Sequence, residues 1–203
     1  MKNFLRKLVV ITMLLGAVEL TTSEMMQSQA KVVQASRVKK HYKKRHKVRH
    51  HPNHSFRKGH RPWANVFIGI RKNSADYHAA RDAIKAWNRT KVVKFKQVKS
   101  AKHAYIDMRR NNYGHTRWAG REQKRYSYRH HCYYYHIRLN DYFLRQVNFR
   151  TRVLVGEHEL GHVLGLKHNY SQASIMNPSI DSRSGHGIHP IDIYLVKRIY
   201  DLR

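Results

Sequence analysis

Acidic side chains are scarce in this chain of 203 residues: 12 Asp and Glu stand against 41 Lys and Arg, for a net charge of +29. A field of that sign favours anionic partners and leaves the fold open. Cysteine is nearly absent. Cys132 stands alone, so no internal disulfide can close and the fold must rest on its core, or on a metal. Long apolar runs are missing too. The cleanest, Leu8 to Leu15, extends raggedly to Leu20 with Glu19 inside it, short of the roughly 20 residues that span a bilayer. No internal repeat is visible.

What is present at the N-terminus reads as an export signal over residues 1–30. Lys2, Arg6 and Lys7 precede the apolar run, and small residues follow it. Ser28-Gln29-Ala30 is one cleavage site, with Val33-Gln34-Ala35 and Thr21-Thr22-Ser23 competing. No cysteine follows the apolar run, which excludes a lipoprotein anchor, and no membrane span is expected once the signal is removed. Residues 31–62 form a second unit. From Ser36 to Pro62 there is no acid and very little that is apolar, while six histidines (41, 46, 50, 51, 54 and 60) are spread among the cations. Such a stretch buries too little surface to offset its ordering entropy, so disorder is expected. A pro-region, a plain linker or a tether to an anionic cell-wall polymer would all fit it.

From Trp63 to Arg203 the pattern is that of a domain. Strands are expected at Asn65–Arg71, Val92–Val98, Ala104–Met108 and His136–Leu139, with Trp118-Ala119-Gly120 in a loop or edge strand. Ser74 caps a helix running through Asn88 and Arg89, its buried face formed by Tyr77, Ala80, Ile84 and Trp87. Two more helices are expected, from about Arg150 to Leu166 and from Ile191 to Tyr200 after Pro190. The order implies an α/β fold with one sheet and few helices. Tyr126, Tyr128 and Tyr133 to Tyr135, interleaved with Arg129, His130 and His131, read as a strand with a loop, or as rings for stacking on sugars or bases.

The densest signal is GEHELGHVLGLKHN, Gly156 to Asn169. On a helix, His158 and His162 share one face a turn apart and can converge on one metal ion. Glu159 lies about 100° around the axis, placed to reach a metal-activated water without ligating the metal. This is the HExxH arrangement of zinc hydrolysis, with Glu159 as the base. Gly165 can adopt the left-handed conformation that ends a helix, bringing His168 back as a third ligand. Three histidines leave one tetrahedral position open, as a catalytic zinc requires. Asp107, Asp141 and Asp181 are too few and scattered to argue for structural calcium.

HELGHVLGLKH resembles the HExxHxxGxxH signature of the metzincin metallopeptidases, most closely the matrixin-type branch. Ser174-Ile175-Met176-Asn177-Pro178 is similar to the Met-turn that lies beneath the metal in that family. DAIKAWN with VVKFKQV resembles its first helix and second strand. Trp118-Ala119-Gly120 and His136 to Asn140 fall where its substrate-side edge strand and the strand before the active-site helix would lie. The resemblance covers about Trp63 to Arg203. It implies one twisted mixed sheet with an active-site helix and a C-terminal helix, one zinc held by His158, His162 and His168, protein or peptide substrates, and a specificity pocket around Pro178 to Ile180. The family's cysteine switch is not implied, because Cys132 lies inside the catalytic region. A fifth tyrosine ligand is not implied either, since Pro178 stands two residues past Met176. The expectation is a secreted zinc endopeptidase with no specific nucleic-acid partner. A protein of another class, a cationic envelope-binding protein with a non-catalytic metal site, would share the charge. A closed structural site would then need a fourth protein ligand, for which the sequence offers no candidate.

Overall fold

The structure, a computed structural model, describes residues 54–128, 132–171, 173–180 and 187–203. The expected signal segment and residues 31–53 of the basic arm lie outside them. In chain order the elements are β1 (His54–Ser55), β2 (Trp63–Ile68), α1 (Ala75–Arg89), β3 (Lys94–Val98), a 3-10 turn (Ala101–His103), β4 (Ile106–Asn111), β5 (Gly120–Ser127), β6 (Cys132–Asn140), α2 (Asp141–Leu144), α3 (Phe149–Val163) and α4 (Pro190–Tyr200). Among the described residues no helix is long and apolar enough to cross a membrane.

Five strands form a mixed sheet, β3-β2-β4-β6-β5, and β1 adds to the start of β2. The pairs β3–β2, β2–β4 and β4–β6 are parallel, while β5 runs antiparallel to β6. Alternation sorts the two faces, as a half-buried sheet demands. Ala64, Val66 and Ile68 of β2, Ile106 and Met108 of β4, and Ile137 and Leu139 of β6 are all buried. Their neighbours in sequence face the other way.

Helices α1 and α3 cover the buried face. Ser74 caps α1 by accepting from the Tyr77 N–H at 3.2 Å. As expected from their spacing, Ala80, Ile84 and Trp87 are buried, with Tyr77 packed at the margin. The indole N–H of Trp87 donates to the carbonyl of Glu157 on α3 at 2.8 Å. Asn148 caps α3 through the Thr151 N–H at 2.8 Å. Asp76, in the first turn of α1, pairs with Arg110 of β4 at 2.7 Å and with Arg152 of α3 at 3.0 Å. That buried carboxylate therefore ties both helices to the sheet.

The α/β expectation holds, and several boundaries move. Part of the described stretch before Trp63 packs on the domain. Phe56 packs its ring 5.3 Å from Tyr105 and 6.0 Å from Tyr200, and the Gly59 N–H donates to the Tyr200 carbonyl at 2.6 Å. One aromatic anchor holds a stretch whose average composition predicts no packing. β5 and β6 are longer than expected, joined as a hairpin from Ser127↔Cys132 back to Gly120↔Leu139. The Tyr-rich stretch thus forms strands, and Tyr126 and Tyr133 stack edge to face within it at 5.0 Å.

Candidate metal centre

Helix α3 carries His158, Glu159 and His162, and its end builds the rest of the site. The helix stops three residues short of the expected Leu166. Gly165 takes φ of +90°, its N–H donates to His162 O at 2.9 Å, and the Leu166 N–H donates to Gly161 O at 3.0 Å. This pair of bonds is a Schellman turn, which satisfies helix-terminal carbonyls and reverses the chain. The reversal returns His168 to the face of His158 and His162.

The three imidazoles converge, with ligand nitrogens all within 4.8 Å of one another. Their orientation is fixed from behind. His158 Nδ1 lies 2.8 Å from the carbonyl of Ile175, and His162 Nδ1 lies 2.9 Å from the carbonyl of Leu166. A carbonyl only accepts, so each Nδ1 carries the proton and each Nε2 presents a lone pair. His158 Nε2 stands 3.3 Å from His168 Nε2. A tetrahedral zinc with Zn–N of about 2.0–2.1 Å has ligand edges of about 3.3–3.4 Å, so the donor set fits that ion. Burial, then the charge of His162, pulls His158 down to about 3 against the Ile175 hydrogen bond. His162 and His168 are lowered too, chiefly by burial. All three are held neutral, as ligation requires.

Behind His158, Asp192 at the start of α4 is fully buried. It accepts from the Ser174 hydroxyl at 2.6 Å, the Ile175 N–H at 3.0 Å and the His189 N–H at 2.9 Å. Those bonds set the turn Ser174–Met176, whose Ile175 carbonyl orients His158. Met176 is buried with its sulfur against Gly161, where any side chain would collide with it.

Glu159 points the other way, toward edge strand β5. A Cβ on Gly120 would come within 2.6 Å of Glu159 Oε1, so only glycine lets the carboxylate lie against the strand. The Glu122 backbone N–H bonds to it, while Oε2 is buried with no hydrogen-bond partner among the described residues. Burial, then the neighbouring Glu122 carboxylate, pushes Glu159 up to about 8. Glu122 is paired with Ile137 across the hairpin, which aims its side chain at the helix side. Its own pKa is raised by burial.

The fold and this constellation coincide with a match to the matrixin family model over residues 68–201, about two thirds of the chain. The chain belongs to the matrixin family. A matrixin domain is a zinc metallopeptidase domain, acting on proteins or peptides, and the histidine triad is a cluster that could hold its metal. No curated protein matches the chain.

Among the described residues, the triad is the only clustered set of potential metal ligands. Asp107 pairs with Arg109 and lies 3.7 Å from His136, and Asp141 pairs with Arg110, so neither shares a site with the other. Asp181 lies outside the described residues. Cys132 is half-buried and free; burial pushes its thiol up, the reverse of an activated thiolate. Pro178 to Ile180 follow Met176 after Asn177, and the stretch 181–186 beyond them is outside the description. Sequence reasoning missed Asp192 and Glu122, and it placed Gly120 on the edge strand without its contact to Glu159, because each matters through a neighbour distant in the chain.

Proposed function

We propose that this matrixin is a secreted zinc endopeptidase in which His158, His162 and His168 hold one zinc and Glu159 is the general base. The observation that carries it is the convergence of three neutral imidazoles, two anchored through Nδ1, beside a buried carboxylate with one oxygen unpartnered among the described residues. Bound there, zinc supplies Lewis-acid activation of water and of the scissile carbonyl. Among the described strands β5 ends the sheet order, and the backbone of such an edge strand can take an extended peptide, next to Glu159. Glu159 takes the proton of the attacking water on Oε2 and passes it to the leaving amine. Its raised pKa suits both halves of that transfer near neutral pH.

Export rests on the pattern of residues 1–30. We assign residues 31–53 the role of a tether to an anionic cell-wall polymer, on charge alone. The competing reading, a cationic envelope-binding protein with an inert metal site, is favoured only by the net charge. The deciding experiment compares wild type with Glu159→Gln for bound zinc and for cleavage of casein. Zinc in both with cleavage only by wild type supports the peptidase; zinc in both with cleavage by neither supports the binding protein.

A further inference from the structure

The sheet's solvent face carries an arrangement that peptide hydrolysis does not use. Arg109 of β4, Arg138 of β6 and Arg121 of β5 are directly opposite one another in register, on strands about 4.8 Å apart. Like charges set opposite across strands destabilise a sheet. Lys94 and Lys96 of β3 and Arg125 of β5 are exposed on the same face. Among the described residues of these strands, Asp107 is the one acid facing this way. Asp107 pairs with Arg109, and Arg138 is held by neutral Gln123 and Tyr113. His136, in the middle, has its pKa lowered by burial and, against Asp107, by Arg138, Arg125 and Arg109. The positive field is therefore felt at the centre of the face.

We infer that this face is a docking surface for a linear polyol-phosphate polymer, laid across the arginine row so that successive phosphates neutralise the opposed guanidiniums. Charge complementarity selects a polyanion, and arginine's planar fork selects phosphate geometry. The rings of the face argue against a nucleic acid, whose single strands are gripped by base stacking on open rings. Phe67 lies under the Arg109 guanidinium at 5.2 Å, and Tyr134 is set edge to face with His136 at 5.1 Å. At the arginine row the face therefore offers charge with these two rings already engaged, and half-buried Trp63 lies away from the row, at the start of β2 beside Lys94. Its residues belong to the strands and not to the basic arm, and none of them is in the histidine cluster.

The test measures binding of linear poly(glycerol phosphate) to the full secreted chain across a salt series. Three chains are compared: wild type, the triple variant Arg109→Gln, Arg121→Gln, Arg138→Gln, and a charge-matched control, Arg81→Gln, Lys85→Gln, Arg198→Gln, on α1 and α4. The triple variant is expected to bind at least about tenfold more weakly in ~0.1 M salt and to lose roughly two from the slope of log K against log salt. The control is expected to stay near wild type. Should the triple variant melt early, Lys96→Gln with Arg125→Gln is expected to give a smaller drop of the same kind. Equal loss in the control, or no loss in the face variants, would overturn the proposal by showing diffuse attraction. Tighter binding of a DNA single strand of equal phosphate number, lost in the same face variants, would overturn the choice of polymer.

Discussion

The carboxylate of Asp192 accepts the backbone N–H of Ile175 at 3.0 Å, and the carbonyl of the same Ile175 fixes the proton on His158 Nδ1. One residue thus links the C-terminal helix to the histidine triad. Asp192→Asn would turn an NH₂ toward one of three donors and remove the charge from three buried hydrogen bonds. Bonds to charged groups contribute about 1.5–3 kcal/mol each. We expect a loss of roughly 2–4 kcal/mol of stability and a zinc affinity at least about tenfold weaker. Denaturant melts and chelator competition read both, and unchanged zinc affinity would detach Asp192 from the site.

Gly120 and Glu159 make a second coupling, one of space. Gly120→Ala would put a Cβ within 2.6 Å of Glu159 Oε1 and 2.7 Å of Val155 Cγ1. Of these, the carboxylate is the group proposed to move a proton. A displacement of about 1 Å costs on the order of 100-fold in rate. The expected outcome is a fall of that size in kcat with zinc stoichiometry intact. A variant that keeps wild-type kcat would show that the carboxylate does not need its seat on β5.

How much of this was legible in the sequence depends on range. Caps and periodicity carry local information, so α1 starts where Ser74 stands, and α4 starts at Pro190 as its fixed φ suggests. The spacing of His158, Glu159, His162, Gly165 and His168 is local as well, and the structure brings the three imidazoles together. Asp192 is different: it lies 17 residues beyond Ile175 and touches it only after α4 docks. Glu122 sits in a strand whose facing depends on the pairing of β5 with β6. A one-residue slip would have sent it to solvent. Phe56 was hidden by its surroundings, because an average over a basic stretch dilutes a single ring.

Glu122 sets up a prediction on pH. Its carboxylate stands beside Glu159 and raises that group's pKa after burial does. Glu122→Gln keeps the backbone N–H that bonds to Glu159 and removes the neighbouring charge. Glu159 then gives up its proton at lower pH, so the acid limb of the kcat/KM profile is expected to move down. A limb that stays put, in a variant binding zinc normally, would mean that Glu122 is uncharged throughout the working range.

The metal-free protein is expected to have a stability maximum near pH 6.5, because its buried acid and its buried histidines titrate in opposite senses. Native Glu159, raised to about 8 from an ordinary 4.5, holds a proton that the unfolded chain releases. Its contribution is complete below 4.5 and is lost as pH rises to about 8. Native His158, lowered to about 3 from 6.5, refuses a proton that the unfolded chain accepts. Its contribution is complete above 6.5 and is lost as pH falls toward 3. Each slope is about 1.4 kcal/mol per pH unit at most. Below 6.5, His162 and His168 add to the histidine side, so stability falls with acid. From 6.5 to 8 the slope of Glu159 is left. Urea melts of chelated protein across pH 4 to 9 check this, with Glu159→Gln expected to flatten the alkaline side. An equally steep alkaline decline in that variant would place the titrating proton on another carboxyl.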